Sequence, residues 1–277
     1  MTCLPDAPPS SPFSRVPQSV PGRQWRAVAA ALLGLTLQAA GSPTGVLAQD
    51  VPRFTLELEA GPIWQSRNDV RIPNDASGTR FSLVDVAGNG PWPSARLYAT
   101  WNINRRHGLR LLAAPLSYTE AGSVAEPVAF AGATFRPDEP LSATYRFNSW
   151  RLGYRYRIMD RERLRLWIGF TAKLRDAKIA LEQGAVYSED TDLGFVPLLA
   201  FAGDWEFARR WHGLLDFEGL AGGPGRAFDV SLQLRRTVAD RWDVGAGYRT
   251  IEGGADVDEV YNFAWLHALV ISVTFRF

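Results

Sequence analysis

The sequence predicts an all-β fold: an antiparallel, up-and-down transmembrane β-barrel of about ten strands, with eight or twelve as the alternatives. Two observations support this prediction. Residues 263–277 place a large apolar side chain at almost every second position, and about nine earlier segments repeat that alternation. A period of two is the spacing of side chains along one face of a β-strand. After residue 48 the chain has no continuous apolar stretch of roughly 18 residues, the length that favours a membrane-spanning helix.

Residues 1–48 are predicted to be an N-terminal signal peptide. Three arginines precede an apolar run at 27–40, and a stretch of small residues then ends at Ala48. This order of basic, apolar and small-residue regions is typical of secreted proteins, and the apolar run is too short to serve as a membrane anchor. We therefore predict cleavage before Gln49, which leaves residues 49–277 as the barrel domain. The only cysteine, Cys3, belongs to the leader, so disulfides are not expected to stabilise the mature chain.

The predicted strands alternate between an apolar and a polar face. In chain order they cover residues 54–64, 95–103, 109–118, 150–158, 164–175, 195–207, 213–221, 228–235, 242–249 and 263–277. Pro115 weakens the third strand, because proline cannot donate to a sheet. Residues 172–182 also fit a helical spacing, so this extension of the fifth strand is left open. Long polar connections alternate with turns of about five residues, and the short 222–225 connection departs from that rule.

Aromatic residues indicate which face meets the bilayer. A soluble, lipocalin-like barrel would point its apolar face inward, and alternation alone does not exclude that arrangement. Six aromatic residues of the apolar face, however, fall close to short turns or to the C-terminus: Trp101, Tyr154, Tyr156, Trp205, Trp242 and Phe275. Such a ring is typical of one membrane interface. The apolar face is therefore predicted to face lipid and the polar face to line the lumen.

The chain ends on Phe277, two residues after Phe275 on the same predicted face. This ending, together with short turns on one side and long loops on the other, resembles small Gram-negative outer-membrane β-barrels of the OmpA or porin-like type. The resemblance implies that both termini and the short turns lie in the periplasm and the long loops outside the cell. It also implies that the assembly machinery recognises Phe275 and Phe277 in the last strand, and that outer-membrane lipids and lipopolysaccharide surround the barrel. The resemblance is one of pattern and carries over no ligand and no cofactor.

The polar face concentrates opposite charges on different strands. Predicted lumen cations are Arg96, Arg110, Arg151, Arg155, Arg157, Arg165, Lys173 and Arg175. Predicted lumen anions are Glu57, Glu59, Asp204, Glu206, Asp216 and Glu218. Buried charges need partners or water. We therefore expect an ion-paired plug in a structural or surface-interaction protein, with a narrow conduit for small polar solutes as the alternative.

Enzymatic chemistry is not expected from this sequence. Some outer-membrane barrels are proteases or lipid-modifying enzymes that place a histidine at the outer rim. His107 and His212 fall in predicted short turns here, and His267 falls on the predicted lipid face. The acidic groups at 189–192 and 256–259 are expected to be solvated loop charge rather than a metal site. A formal net charge of +1 gives no reason to expect nucleic acid as a partner.

The connection at 128–135 is unusually apolar for a loop. An apolar loop can extend the barrel as a hairpin, fold over its mouth, or contact a partner. The sequence leaves these three alternatives open.

Overall fold

The computed structural model describes residues 52–277, so the predicted signal peptide and its cleavage position lie outside the described residues. The elements in chain order are β1 (Phe54–Arg71), β2 (Phe81–Ser82), α1 (Leu83–Ala87), β3 (Trp92–Asn102), β4 (His107–Ala114), β5 (Ser117–Gly122), β6 (Val128–Phe130), β7 (Ala133–Phe135), β8 (Leu141–Asp160), β9 (Leu164–Gln183), β10 (Val186–Ala208), β11 (Trp211–Gly222), β12 (Gly225–Ala239), β13 (Trp242–Asp256) and β14 (Tyr261–Arg276). Within residues 52–277, no helix has the length and apolar character needed to cross a membrane.

The long strands form a closed antiparallel barrel. Each strand pairs with the next along the wall, and β14 returns to pair with β1, with Leu56 opposite Phe275. Pro115 and Leu116 interrupt the third wall strand and divide it into β4 and β5. These two segments pair with β8 one after the other and occupy one position in the wall. Counting that position once and leaving out the two-residue β2, the wall has ten strands. The predicted fold class and strand count are confirmed.

The barrel has an apolar exterior and a polar interior. On β14, Ile271 is 61% exposed while its neighbour Ser272 is 2% exposed, and the same alternation runs through the other wall strands. A soluble barrel would have the opposite arrangement. At one end of the apolar band, Trp242 lies 4.5 Å from Phe275 between ring centres. We call this the terminal end, because Phe54 and Phe277 meet there through a backbone hydrogen bond of 2.9 Å.

Several strand boundaries differ from the sequence prediction, among them the start of β8 at Leu141 rather than near residue 150. β1 continues to Arg71 rather than stopping near residue 64, and the predicted loop at 183–192 is a strand pair joined by a turn of only two residues. The extension at 172–182 is strand rather than helix. The reason is that lipid no longer covers the outer face of a strand past the apolar band, so polar side chains occupy outer positions there and only scattered inner positions, such as Val70, stay apolar. The sequences of these extensions lose the apolar alternation and look like loops.

The opposite end, which we call the loop end, is filled by a packed cluster of apolar side chains. Helix α1 is capped at its N-terminus by Ser82, whose Oγ accepts a hydrogen bond from the Asp85 amide, and the helix buries Leu83 and Val86. The β6–β7 hairpin buries Phe130 and Phe135 completely. We call this cluster the loop core. The apolar loop at 128–135 therefore forms a hairpin that packs into the barrel mouth.

Candidate functional site

Five arginines and five carboxylates meet in the middle of the barrel interior. They are Arg96, Arg110, Arg151, Arg155 and Arg249 with Glu57, Glu59, Asp216, Glu218 and Asp229. Each occupies an inward position of an alternating strand, so the period of two brings them together from β1, β3, β4, β8, β11, β12 and β13. We call these ten residues the charge layer.

Asp229 is the most highly connected member of the charge layer. Its Oδ2 accepts a hydrogen bond from Arg96 Nη2 at 2.8 Å and forms an ion pair with Arg151 Nη2, also at 2.8 Å, and its Oδ1 accepts a hydrogen bond from Arg249 Nη1 at 2.5 Å. Arg249 Nη2 also donates to both oxygens of Glu59, at 2.8 and 2.9 Å. The side chains of Asp229, Arg249 and Arg151 are at most 4% exposed. Charges this deeply buried are stable only when they are paired, as they are here.

The remaining pairs continue across the lumen. Asp216 accepts hydrogen bonds from Arg110 and from Arg155 Nη2, the latter at 2.9 Å. Glu218 accepts hydrogen bonds from Arg151 and from the Thr171 hydroxyl, the latter at 2.8 Å. Carboxylates of β11 are thus held by guanidinium groups of β4 and β8 from the other side of the lumen.

The Tyr98 ring supports two members of the layer. The Arg110 guanidinium lies over this ring at 3.8 Å from its centre. The Tyr98 hydroxyl donates to Glu59 at 3.4 Å. Arg110 Nη2 also lies 3.9 Å from Glu57 Oε2, so both glutamates that β1 contributes to the layer have an arginine partner.

A second, smaller group of charges lies nearer the terminal end. Asp204 Oδ2 accepts hydrogen bonds from Arg165 at 3.0 Å and Arg235 at 2.8 Å, and its Oδ1 lies 2.7 Å from His212 Nδ1. His212 was predicted to lie in a short turn. It lies instead near the start of β11, buried and inward, because β11 begins at Trp211, two residues before the predicted start at 213. Arg157 pairs with Asp160 at 3.0 Å.

The other three predicted lumen residues belong neither to the charge layer nor to this smaller group. Glu206 accepts a hydrogen bond from the Arg210 backbone amide at 3.2 Å, so it stabilises the β10–β11 turn. Arg175 pairs with Asp192 toward the loop end. Lys173 is 3% exposed and lies against the Phe147 ring.

Asp229 and Arg249 were not among the predicted lumen residues. Both occupy polar, inward positions of strands that the alternation predicted correctly. The signal was therefore present, but the charges of these two strands were not included in the lumen set.

The charge layer separates two cavities in the described part of the barrel. The cavity at the terminal end has a volume of about 640 Å³, and Glu57, Arg110 and Asp216 line it. The cavity at the loop end has a volume of about 390 Å³, and Arg151 and Asp229 line it. One side of the charge layer thus lines the cavity at the terminal end, and the other side lines the cavity at the loop end.

His267 lies on the outer surface, on the face predicted from the sequence. A β-bulge in β1 at Ser66 turns that hydroxyl outward, 2.8 Å from His267 Nε2. The Tyr248 hydroxyl lies 2.5 Å from His267 Nδ1, and the Trp64 ring stacks on the imidazole at 5.8 Å. Both imidazole nitrogens of His267 therefore have hydrogen-bond partners, although the ring lies on the outer surface at the edge of the apolar band.

The acidic loop residues do not converge on a common point. Among residues 52–277, no three histidine, cysteine or acidic side chains are grouped in a way that could hold a metal ion. Glu189 pairs with Lys178 on the outer part of the β9–β10 hairpin, and hydrogen bonds from Lys178 and Tyr187 lower the pKa of its carboxyl group.

An apolar outer band around an ion-paired interior, in a closed ten-stranded sheet, defines an integral β-barrel protein of the bacterial outer membrane. No protein-family model and no curated protein sequence matches the chain.

Among solved structures, the chain is similar to the outer-membrane protease OmpT from Escherichia coli, with a TM-score of 0.49, 8% identity, and 84% of this chain and 99% of that chain covered. It is also similar to the translocator domain of the autotransporter NalP from Neisseria meningitidis, with a TM-score of 0.41, 12% identity, and 92% and 95% covered. A third similar structure is Neisserial surface protein A, with a TM-score of 0.36, 14% identity, and 81% and 97% covered. Identities at this level bear on the fold alone.

Proposed function

We propose that this protein is a closed outer-membrane barrel with a structural or surface-interaction role and without a conducting lumen. The observation that carries the proposal is the charge layer. Ten side chains from seven strands pair across the lumen, and cavities on both sides end at them. An ion crossing this layer would have to separate buried ion pairs. Separating a buried pair leaves its charges without partners, which costs several kcal/mol.

The loop core supports the same proposal. Tyr118 stacks on Trp92 with 3.6 Å between ring centres, and Trp92 Nε1 donates to Glu120 at 2.7 Å. The Gln65 side chain donates to the Gly88 carbonyl at 2.7 Å, which ties the segment carrying α1 to the wall. A mouth packed with apolar side chains and fixed in this way is a second barrier to solutes.

We place the terminal end in the periplasm and the loop end outside the cell. The support is the distribution of connections, since turns at the terminal end are short while the two longest connections, 72–91 and 123–140, lie at the loop end. In this orientation the surface of the long loops is available to partners outside the cell. Outer-membrane lipids and lipopolysaccharide would contact the band, and the assembly machinery would engage Phe275 and Phe277 of β14.

Conductance in planar lipid bilayers tests the closed barrel. We expect refolded wild-type protein to give no single-channel steps. A variant with Arg96, Arg249 and Asp229 all changed to alanine is expected to give intermittent steps, because three crossing side chains are lost. Reproducible steps in the wild type that Arg155→Ala or Glu218→Ala abolishes would contradict the proposal and support the narrow conduit.

One contact favours a second candidate function. The Ser66 hydroxyl and His267 Nε2 form the hydrogen bond that an activated serine nucleophile requires. Their place at the edge of the apolar band would give them access to ester bonds of lipids in the outer leaflet. Tyr248, rather than a carboxylate, occupies the position that orients the histidine. For this reason the non-enzymatic role is proposed first.

Ester hydrolysis in lipid vesicles tests this second candidate. Release of fatty acid from phospholipid or lipopolysaccharide should be lost in both Ser66→Ala and His267→Ala. Thr119→Ala is a matched control, because Thr119 carries an exposed hydroxyl on the same barrel, hydrogen-bonded to Thr144 rather than to a histidine. Activity that survives His267→Ala would remove this candidate.

A further inference from the structure

The cavity at the loop end has an apolar wall. Inward-facing side chains of six positions line it: Phe147, Val196, Leu198, Leu220, Ile251 and Leu266. Its volume of about 390 Å³ falls within the range of roughly 300–1,000 Å³ that is usual for small-molecule sites. A cavity with such a wall favours a ligand with a hydrocarbon or aromatic part.

The barrel wall is interrupted beside this cavity. The pairing of β10 with β11 reaches only to Leu199 and Gly219, and β10 then continues to Val186 with β9 as its one partner. The tip of the β11–β12 hairpin and residues 195–198 of β10 both line the cavity at this notch. An amphipathic molecule could therefore reach the cavity from the side of the barrel, through this notch.

Most charges around the cavity already have partners. Arg151 pairs with Glu218 and Asp229 in the charge layer, and Arg175 pairs with Asp192. At the rim, Arg226 pairs with Glu252 at 2.7 Å.

Lys173 is the exception among the charges that line the cavity. Its side chain is buried, and no carboxylate of residues 52–277 lies within ion-pair distance of its Nζ, 4.0 Å. The Nζ lies 4.7 Å from the centre of the Phe147 ring. A cation–π contact replaces only part of the hydration that a buried ammonium group loses. An anion that entered the cavity would supply the missing partner.

We infer that this cavity binds a monocarboxylate with a medium-length aliphatic or aromatic tail. Lys173 Nζ pairs with the carboxylate, while Val196, Leu198 and Leu220 enclose the tail. This inference goes beyond the proposed function and does not depend on it, because a ligand can occupy the cavity whether or not the charge layer conducts.

Calorimetric titration of the full barrel in lipid nanodiscs tests the inference. The probe is octanoate, with octan-1-ol and octylammonium as matched uncharged and cationic probes and empty nanodiscs as the blank. We expect saturable binding of octanoate at one site and affinities about tenfold or more lower for the other two probes, the effect of losing a hydrogen bond between charged groups. Equal binding of octan-1-ol, or no saturable binding of octanoate, would overturn the inference.

Variants locate the binding in the cavity. Lys173→Met should weaken octanoate binding about tenfold or more, and Lys173→Arg should retain most of it. Lys178→Met is the matched control, because Lys178 lies on the same strand but faces outward and pairs with Glu189. Val196→Phe should abolish binding while keeping Lys173, since the larger side chain fills the space beside it. Heat-modifiable gel migration confirms that each variant is folded, and unchanged binding in folded Lys173→Met or Val196→Phe protein would overturn the inference.

Discussion

Arg249→Met tests how strongly the charge layer stabilises the barrel. The arginine donates to Asp229 at 2.5 Å and to both oxygens of Glu59 at 2.8 and 2.9 Å, with only 4% of its side chain exposed. Methionine keeps the length and the apolar stem but leaves Glu59 with Arg96 at 3.6 Å as its nearest remaining cation. Removing one partner of a buried ion pair typically lowers the free energy of unfolding by about 3–5 kcal/mol. We expect a loss of this size.

The control for this measurement is an ion pair of the same chemistry on the surface. Arg226 pairs with Glu252 at 2.7 Å, but its side chain is 42% exposed, so Arg226→Met should cost at most about 1 kcal/mol. Urea titration of protein refolded into lipid vesicles, followed by tryptophan fluorescence, measures both free energies. The double variant Arg249→Met with Glu59→Gln should regain part of the loss, because the carboxylate that lost its two hydrogen bonds from Arg249 is then gone. Equal, small losses for Arg249→Met and Arg226→Met would show that water reaches the layer and would refute the reasoning.

Three further predictions concern the band, the loop core and the last strand. Ile271→Arg, in the middle of the lipid face, should lower the free energy of unfolding by about 2–4 kcal/mol, against about 0–1 kcal/mol for Val238→Arg near the terminal end; the same urea titration compares them. Phe130→Ala empties a fully buried site and should cost about 3–5 kcal/mol, with faster proteolysis of the β6–β7 hairpin as a second measurement. Deleting Phe277, which is 57% exposed, should leave refolding in detergent unchanged but slow assembly into outer membranes in cells, and normal assembly would contradict its role as a recognition signal.

The sequence predicted the barrel wall well because burial enforces a period of two wherever lipid covers one face. Ile271 and Ser272 illustrate this, since the bilayer selects the first side chain and the lumen the second. Past the apolar band this constraint ends. Residues 65–71 and 183–192 therefore looked like loops although they continue strands.

The details of the site were harder to predict, because they depend on which strands face each other across the lumen. Asp229 and Arg249 could have been assigned to the interior from alternation alone, but their partners depend on the closed register. Lys173 is a second example. It is paired in register with Arg151 and occupies an equivalent inward position, so alternation does not show that Arg151 has carboxylate partners and that Lys173 has none among the described residues. The Ser66 bulge is a further case, because alternation has no means of revealing one extra residue in a strand.

Glycines of the inner wall explain how so many long side chains fit inside one narrow barrel. Gly247 faces the lumen beside Gln233, whose amide donates to Glu59 at 2.7 Å, and a Cβ at Gly247 would lie 2.6 Å from Gln233 Cγ. A Cβ at Gly153 would lie 2.9 Å from the hydroxyl oxygen of Thr171, the residue that donates to Glu218. The missing side chains at these positions leave room for the groups that hold the carboxylates. The arrangement of the charge layer therefore depends on the small residues of the wall as well as on the charged ones.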